Sequence, residues 1–415
     1  MEPARIISSM AGKKRKKVRE RDITGLKHFE QLVPLLERLH EVGCERDTAG
    51  QRGLHMDEYC LLVLVFLFNP ICGSLRAVQQ ASELKKVQRK LGCPRASLGS
   101  LSESVAVFDP ERLKEIVAEL GEQLVPLAKD PRLKEIRQAI TLVDGSLLKV
   151  LPWLSQAMLQ EPTDVHKVRL HTHFEVDRYV PTRIDVTGGV PRGRDDERAM
   201  MRHSIEPDRL YVMDRGYAMY ELFNDVVAGG SSYVCRIRDN STCAVVEQRP
   251  LGPADLEADV LEDVVGTFGE SSPRGVRPDH SLRMVTIKTT PHVKRGKPCG
   301  GSTGPASDGV LRLATNLLEP PAWVIGLIYR YRWSIEIFFR FFKHVLGCRH
   351  LLSTQRQGIE IQIYMAIIAC MLISLATGRK PTRRTYEMIC YYFIGWASED
   401  ELLAHIAKLQ KQDAN

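Results

Sequence analysis

At Ala139-Ile-Thr-Leu-Val-Asp-Gly145 the chain changes from helical periodicity to β-type sequence. The run Ala139 to Val143 is apolar and rich in β-branched side chains, and Asp144-Gly145 favours a turn, so a short strand ending at Asp144 is expected. Downstream, Val168, Leu170, Thr172 and Phe174 alternate with Arg169, His171, His173 and Glu175, which sends the two sets to opposite faces of a sheet. Tyr179 to Val186 reads as the next strand, closing at Gly188-Gly189; the two runs and their short link predict an antiparallel hairpin. Asp195 to His203 reads as a helix, and Leu210-Tyr-Val-Met213 as a short strand running into Asp214. A helix from Tyr217 to Val227 and a strand from Ser232 to Ile237 complete the series.

Three strands, a helix, a strand, a helix and a strand is the order of a ribonuclease-H-like core, a mixed α/β fold in which a sheet is flanked by helices. In such a sheet the first and fourth strands lie side by side, which puts Asp144 and Asp214 at neighbouring carboxyl ends. Working outward, residues 1–20 read as a basic disordered tail and 21–135 as an all-helical region. There Leu32, Leu36 and Leu39 recur at helical spacing, and Asp109-Pro110 opens a helix with Leu113, Ile116, Val117 and Leu120 on one face. The core then divides into 136–240 and 309–350, separated by a β-rich insertion over 241–308. That insertion holds an acidic piece, a strand-like Arg283-Met-Val-Thr-Ile-Lys288 and a Gly/Ser/Pro-rich loop from Arg295 to Asp308, read as a mobile tip. Val310 to Ala314 returns as a strand, Pro320-Pro321 opens a long helix, and 351–415 reads as a helical tail.

Bulk properties narrow the class. The chain of 415 residues, 44% hydrophobic and 26% charged, is long enough for a sizeable core. The net charge of +7 is modest, but Lys13, Lys14, Arg15, Lys16 and Lys17 form one block and Arg379, Lys380, Arg383 and Arg384 another. Such blocks suit either a polyanionic partner or plain solvation. Ten cysteines are scattered without a CxxC pair, which argues against a structural zinc site. With no apolar leader after the basic start, a reducing, cytoplasmic setting is expected. The apolar runs Tyr59 to Phe68 and Ile363 to Ala376 fall short of the ~20 residues that span a bilayer; buried core helices are expected instead, and no membrane partner.

The most informative segment is Tyr329-Arg-Tyr-Arg-Trp-Ser-Ile-Glu-Ile-Phe-Phe-Arg-Phe-Phe-Lys343. At about 100° per residue from Tyr329, Arg332 falls near about 300°, Glu336 near about 340° and Lys343 near about 320°. One narrow ridge of the helix therefore carries a phenol, a guanidinium, a carboxylate and an ammonium. Ile335, Phe338, Phe339, Phe342, Val345 and Leu346 fall on the adjoining arc, as a core face. Taken alone, Arg332 and Glu336 equally make an ordinary i,i+4 surface pair, Asp144-Gly145 an ordinary turn, and Asp214 a helix cap.

Together these residues resemble a known family. Tyr329, Arg332, Glu336 and Lys343 stand at the spacing of the Tyr-Arg-Glu-Lys signature of bacterial insertion-sequence transposases of the family numbered four. A four-residue match at fixed spacing arises by chance in about one of several hundred chains of this length. The context adds to it: Asp144-Gly145 and Asp214-Arg-Gly-Tyr217 resemble the family's two catalytic aspartates, and Ala314-Thr-Asn-Leu317 its last strand. The similarity runs over roughly 95 to 400.

The resemblance implies a DDE transposase, with Asp144, Asp214 and Glu336 catalytic and metal-ligating. Two Mg²⁺ or Mn²⁺ ions would be held with Asp144 shared, Asp214 on one ion and Glu336 on the other. A phosphodiester repels an attacking oxygen, and a pair of divalent ions offsets that repulsion; hard oxygen ligands suit these ions. Tyr329, Arg332 and Lys343, with Arg215 beside them, are implied to grip phosphates near the cleaved end. The expected partners are double-stranded DNA, as terminal inverted repeats and target, and a second copy of the chain pairing two ends. By the same resemblance, movement is cut-and-paste through a hairpin, and the helical N-terminal region recognises the repeats. The alternatives are a catalytically silent, domesticated DNA-binding relative, and a nuclease of the same fold that cuts without joining. His171 and His173 share a strand face and read as a solvent-facing pair rather than metal ligands; Trp323 and Trp333 read as core or interface residues, with base stacking as the alternative.

Overall fold

The computed structural model describes residues 27–48, 50, 53–126, 130–149, 167–188, 197–239, 241, 243–269, 275–289, 309–345, 351–353 and 355–414. The basic tail 1–20, the loop from Arg295 to Asp308 and Leu346 lie outside the described residues.

The helical part comprises α1 (Lys27–Glu37), α2 (Leu39–Val42), α3 (Met56–Phe68), α4 (Leu75–Ser82), α5 (Lys85–Leu91), α6 (Leu98–Glu103) and α7 (Arg112–Gln123). α3 is apolar on nearly every side and correspondingly buried. α7 follows Asp109-Pro110 and buries Leu113, Ile116, Val117 and Leu120, the face its periodicity predicts. Then come β1 (Ala139–Lys149), β2 (Lys167–Glu175), β3 (Val180–Gly188), α8 (Glu197–Arg202), β4 (Arg209–Met213), α9 (Tyr220–Ala228) and β5 (Ser232–Arg236). The next group is β6 (Cys243–Gln248), α10 (Pro253–Glu257), β7 (Val260–Phe268), β8 (Leu282–Lys288) and β9 (Val310–Thr315). The chain ends in α11 (Ala322–Arg330), α12 (Trp333–Val345), α13 (Arg356–Thr377), α14 (Arg383–Phe393) and α15 (Glu399–Ala414).

The described strands form one nine-stranded mixed sheet, ordered β3-β2-β1-β4-β5-β9-β8-β7-β6. β1, β4 and β5 run parallel, and every other pairing is antiparallel. On one face, Leu142, Leu170, Phe174 and Ile184 pack with Phe338 and Phe342 of α12 and with α13. On the other, Val143, Tyr211 and Met213 pack with Met201 of α8 and with Leu222, Phe223 and Val226 of α9. α13 has the length and apolarity of a membrane span, yet 89% of its most apolar window is buried inside the protein. It is the core helix expected from the run at Ile363.

Three sequence expectations need correction. β1 does not stop at Asp144: it continues to Lys149, because pairing with β2 runs on through Gly145↔His171 and Leu147↔Arg169. Cross-strand hydrogen bonding outweighs the local turn preference of Asp-Gly. His171 and His173 do not face solvent; they are 7% and 5% exposed. His171 Nε2 lies 2.7 Å from Thr187 Oγ1, and His173 Nε2 lies 3.2 Å from Ser204 Oγ just past α8. Burial pulls the His173 imidazole down to about 3. Finally, the helix opened by Pro320-Pro321 is two helices. The amides of Tyr331, Arg332 and Ser334 bond three residues back rather than four, tightening the link between α11 and α12. The Tyr331 hydroxyl is tied down there by Asp130 Oδ2 at 2.9 Å.

One buried ion pair sets where α11 begins. Arg283, 1% exposed, donates from Nε and Nη2 to both oxygens of Asp263 at 2.8 Å. Its Nη1 reaches the carbonyls of Leu317, Leu318 and Pro320 at 3.1, 3.3 and 2.6 Å, fixing the turn between β9 and α11.

Candidate active site

Val143 and Met213 pair across the parallel strands β1 and β4, so Asp144 and Asp214 follow in step on neighbouring strands, whose spacing is about 4.8 Å. Alternation puts Leu142, Asp144 and Ser146 on the sheet face that α12 covers, where Phe174 (opposite Leu142) lies 5.2 Å from Phe338. The buried side of α12 is Ile335, Phe338, Phe339 and Phe342, as predicted, with Phe341 in addition. Docking that side lowers Glu336 and Lys343, both half-buried, towards the middle of β1 and the end of β4.

The charges there interact. Burial raises the Asp144 pKa above the ordinary carboxylate value; Arg332 opposes this, while Asp214 and Glu336 add to it. The Asp144 carboxylate also accepts the Gly145 N–H at 2.9 Å. Asp214 accepts the Gly216 N–H at 2.6 Å, opening the short 3₁₀ turn Arg215–Tyr217. Arg332 Nη2 donates to Glu336 Oε1 at 2.6 Å, with the two side chains 18% and 31% exposed. Burial works against the Arg332 charge, but Tyr329, Glu336 and Asp144 outweigh it and its pKa rises. Burial pushes the Tyr329 phenol up to about 12, with Arg332 and Arg236 pulling the other way. The Lys343 ammonium donates to Ser146 Oγ and sits 5.5 Å from the Phe339 ring centre.

Six of the seven side chains singled out from the sequence therefore gather at one place on the sheet: Asp144, Asp214, Glu336, Tyr329, Arg332 and Lys343. Arg215 is more exposed, at 46%, and turns towards Asp239 at 3.9 Å. Trp333 is 52% exposed beside Glu336, whereas Trp323 is half-buried, and its backbone N–H donates to Asp255 Oδ1 at 2.9 Å. Among the described residues no three His, Cys, Asp or Glu side chains close around a single point as a ligand set; Arg332 supplies positive charge among the carboxylates instead.

Three neighbours escaped the sequence reading. Ser146 shares a face with Asp144 by simple alternation, a signal hidden by ending the strand too early. Arg236 ends β5 one position past Cys235, the partner of Met213, and so lies alongside Asp214; it interacts with Tyr329. Thr172 is the cross-strand partner of Asp144, fully buried, and its hydroxyl has no hydrogen-bond partner among the described residues.

Comparisons with known proteins point to transposases. A Sinorhizobium fredii protein named as transposase y4zB is 25% identical over 213 residues, 51% of this chain and 54% of that protein. A Geobacillus stearothermophilus protein, named as a transposase for insertion sequence element IS5377, is 35% identical over 207 residues, 50% of this chain and 48% of that protein. The chain thus spans about half the length of the curated relatives it matches. Among solved structures, a piggyBac transposase synaptic complex with hairpin DNA aligns over 93% of this chain and 81% of that one, with 10% identity and a TM-score of 0.42. Residues 138–372, more than half of the chain, match the family described as the transposase DDE domain. The chain belongs to the transposase DDE-domain family.

Proposed function

We propose that the chain is an insertion-sequence transposase of the family numbered four, cutting DNA at the element's ends and joining them to target DNA. The observation that carries this reading is the meeting of Asp144, Asp214 and Glu336, from three distant parts of the chain, beside Arg332 and Lys343. The strand order β3-β2-β1-β4-β5, with helices on both faces, supports a ribonuclease-H-like core over 136–240 and 309–350. The β-rich part 241–308 interrupts this core, a helical DNA-binding region (21–135) precedes it, and a helical tail (351–415) follows.

The donor set suits Mg²⁺ or Mn²⁺. Carboxylates are hard oxygen ligands, and the unpartnered Thr172 hydroxyl opposite Asp144 offers one more oxygen at the same place. Asp144, Asp214 and Glu336 would hold the ions between them. Bound there, the ions supply Lewis-acid charge for in-line displacement at phosphorus. Arg332 exchanges part of its contact with Glu336 for a phosphate oxygen, as a guanidinium does well. Lys343, steadied by Ser146, brings a second positive charge. Tyr329, held protonated by burial, donates a hydrogen bond. Arg215, more exposed and further from the carboxylates, contacts a phosphate near the cleaved end. Water is the nucleophile for end cleavage, and the freed 3′ hydroxyl is the nucleophile for joining, by a cut-and-paste route through a hairpin. Two copies pair two terminal repeats, in the cytoplasm.

The test is a cleavage assay on uncut element ends run beside a strand-transfer assay on pre-cut ends, both with Mg²⁺. Product in both supports transposition. Nicks without joined product indicate a nuclease, and no product in either indicates a silent DNA-binding relative.

A further inference from the structure

From Ile71 to Ser97 the sequence carries Arg76, Lys85, Lys86, Arg89, Lys90 and Arg95 against a single acid, Glu83. These residues form α4, α5 and the turn after them. The segment is fastened to the helical core rather than hanging from it: Cys93 and Ala96 are buried, and the Ala96 N–H bonds Ser82 Oγ at 3.1 Å. The cations are therefore presented on a fixed surface.

Their pairing sets them apart from other cations of the helical region. Arg38 meets Glu119 at 2.7 Å, Arg46 meets Asp109 at 3.1 Å, and Arg112 meets Glu45 at 3.6 Å. By contrast, Arg76, Lys85, Lys86 and Arg89 are exposed and face no acidic partner among the described residues. Glu83 does not neutralise them, because Arg95 takes it at 2.8 Å. Lys85 and Arg89 stand one turn apart, with Arg89 Nε donating to the Lys85 carbonyl at 3.2 Å. Unpaired cations held this close repel one another, and a polyanion relieves that repulsion. No aromatic residue occurs between Ile71 and Ser97, so there is no platform for stacking unpaired bases. Charge without stacking groups fits the phosphates of a duplex.

We propose that the exposed face of α4 and α5 tracks the phosphate backbone of duplex DNA, as a surface separate from the phosphate-gripping residues of α11 and α12. The proposal rests on the transposase reading and gives its DNA a docking face. Each cation that neutralises a phosphate adds about 0.9 to the slope of log affinity against log salt.

The test compares full-length wild type with Lys85→Ala/Lys86→Ala and with Lys408→Ala/Lys411→Ala, the latter removing the same charge from exposed positions on α15. Fluorescence anisotropy measures binding of a random-sequence DNA duplex over a salt series, with circular dichroism confirming that each variant is folded. The α5 double variant is expected to bind about tenfold more weakly near 0.1 M salt, with a slope shallower by about two. The α15 variant should match wild type. If wild type binds with a steep slope and both doubles match it, this face is wrong while the transposase reading stands. An equal loss in both doubles reflects general charge and also overturns the face. A wild type that does not bind duplex at all overturns the face and the transposase reading together.

Discussion

Replacing Glu336 by Gln separates chemistry from folding. The substitution keeps the shape of a half-buried side chain and removes one negative charge. What stability loses is the Arg332–Glu336 contact at 2.6 Å, in a pair 18% and 31% exposed. Pairs of this partly screened i,i+4 kind contribute about 0.3–1 kcal/mol. Part of that loss is offset, since Glu336 is one of the charges that raise the Asp144 pKa. The net change in folding stability is therefore expected below about 1 kcal/mol, within a few degrees of melting temperature. Activity behaves differently. If Glu336 holds one of two catalytic cations, its loss removes several kcal/mol of transition-state stabilisation, and at about 1.4 kcal/mol per factor of ten the rate falls about a thousandfold or more. The assay is single-turnover cleavage of element ends in Mg²⁺, beside thermal melting and duplex binding on the same preparations. Cleavage within tenfold of wild type, in a protein that folds and binds normally, would refute the ligand role.

Other outcomes follow from the same structure. Lys343→Ala should weaken the grip on DNA ends and flatten its salt dependence by about one unit of slope, read by the same anisotropy titration; an unchanged slope would argue against phosphate contact. Arg283→Met leaves Asp263 buried and three carbonyls without their donor, so chemical denaturation should show a loss of about 3–5 kcal/mol. Arg283→Met/Asp263→Leu should recover much of it, and a single variant as stable as wild type would contradict the assignment. His173 is held neutral in the fold, down to about 3 against an ordinary 6.5. Its contribution is whole above 6.5, and as pH falls towards 3 only the unfolded chain takes the proton, costing up to about 1.4 kcal/mol per unit. Urea denaturation at several pH values should therefore show a shallower acid loss for His173→Gln, and equal slopes would exonerate His173.

Much of the central sheet was legible because its strands obey simple patterns. Val168 to Phe174 alternates cleanly, and Leu210 to Met213 is a short apolar run stopped by Asp214. The ridge on the helix was legible because 3.6-residue periodicity is insensitive to what packs against it: Ile335, Phe338, Phe339 and Phe342 are buried, and Glu336 and Lys343 stand at the site. What the sequence hid was long-range. Asp144-Gly145 looks like a turn until the pairing of β2 carries the strand through it, and that early stop concealed Ser146. The two histidines of β2 are polar by composition but are buried, His173 against Ser204 and His171 against Thr187, contacts no local pattern reveals. The link at Tyr331–Arg332 contains no Pro or Gly; an anchor to Asp130, far away in sequence, accompanies it. Likewise, β6, β7 and β8 join the main sheet through β9, which returns between β5 and β8.

The most direct measurement is counting tightly bound Mn²⁺ by electron paramagnetic resonance on wild type, Asp144→Asn, Asp214→Asn and Glu336→Gln. Two ions per wild-type chain, one in each of the last two variants and none in Asp144→Asn is the predicted pattern. An Asp144→Asn protein that binds Mn²⁺ as wild type does would contradict a cation site built on these carboxylates.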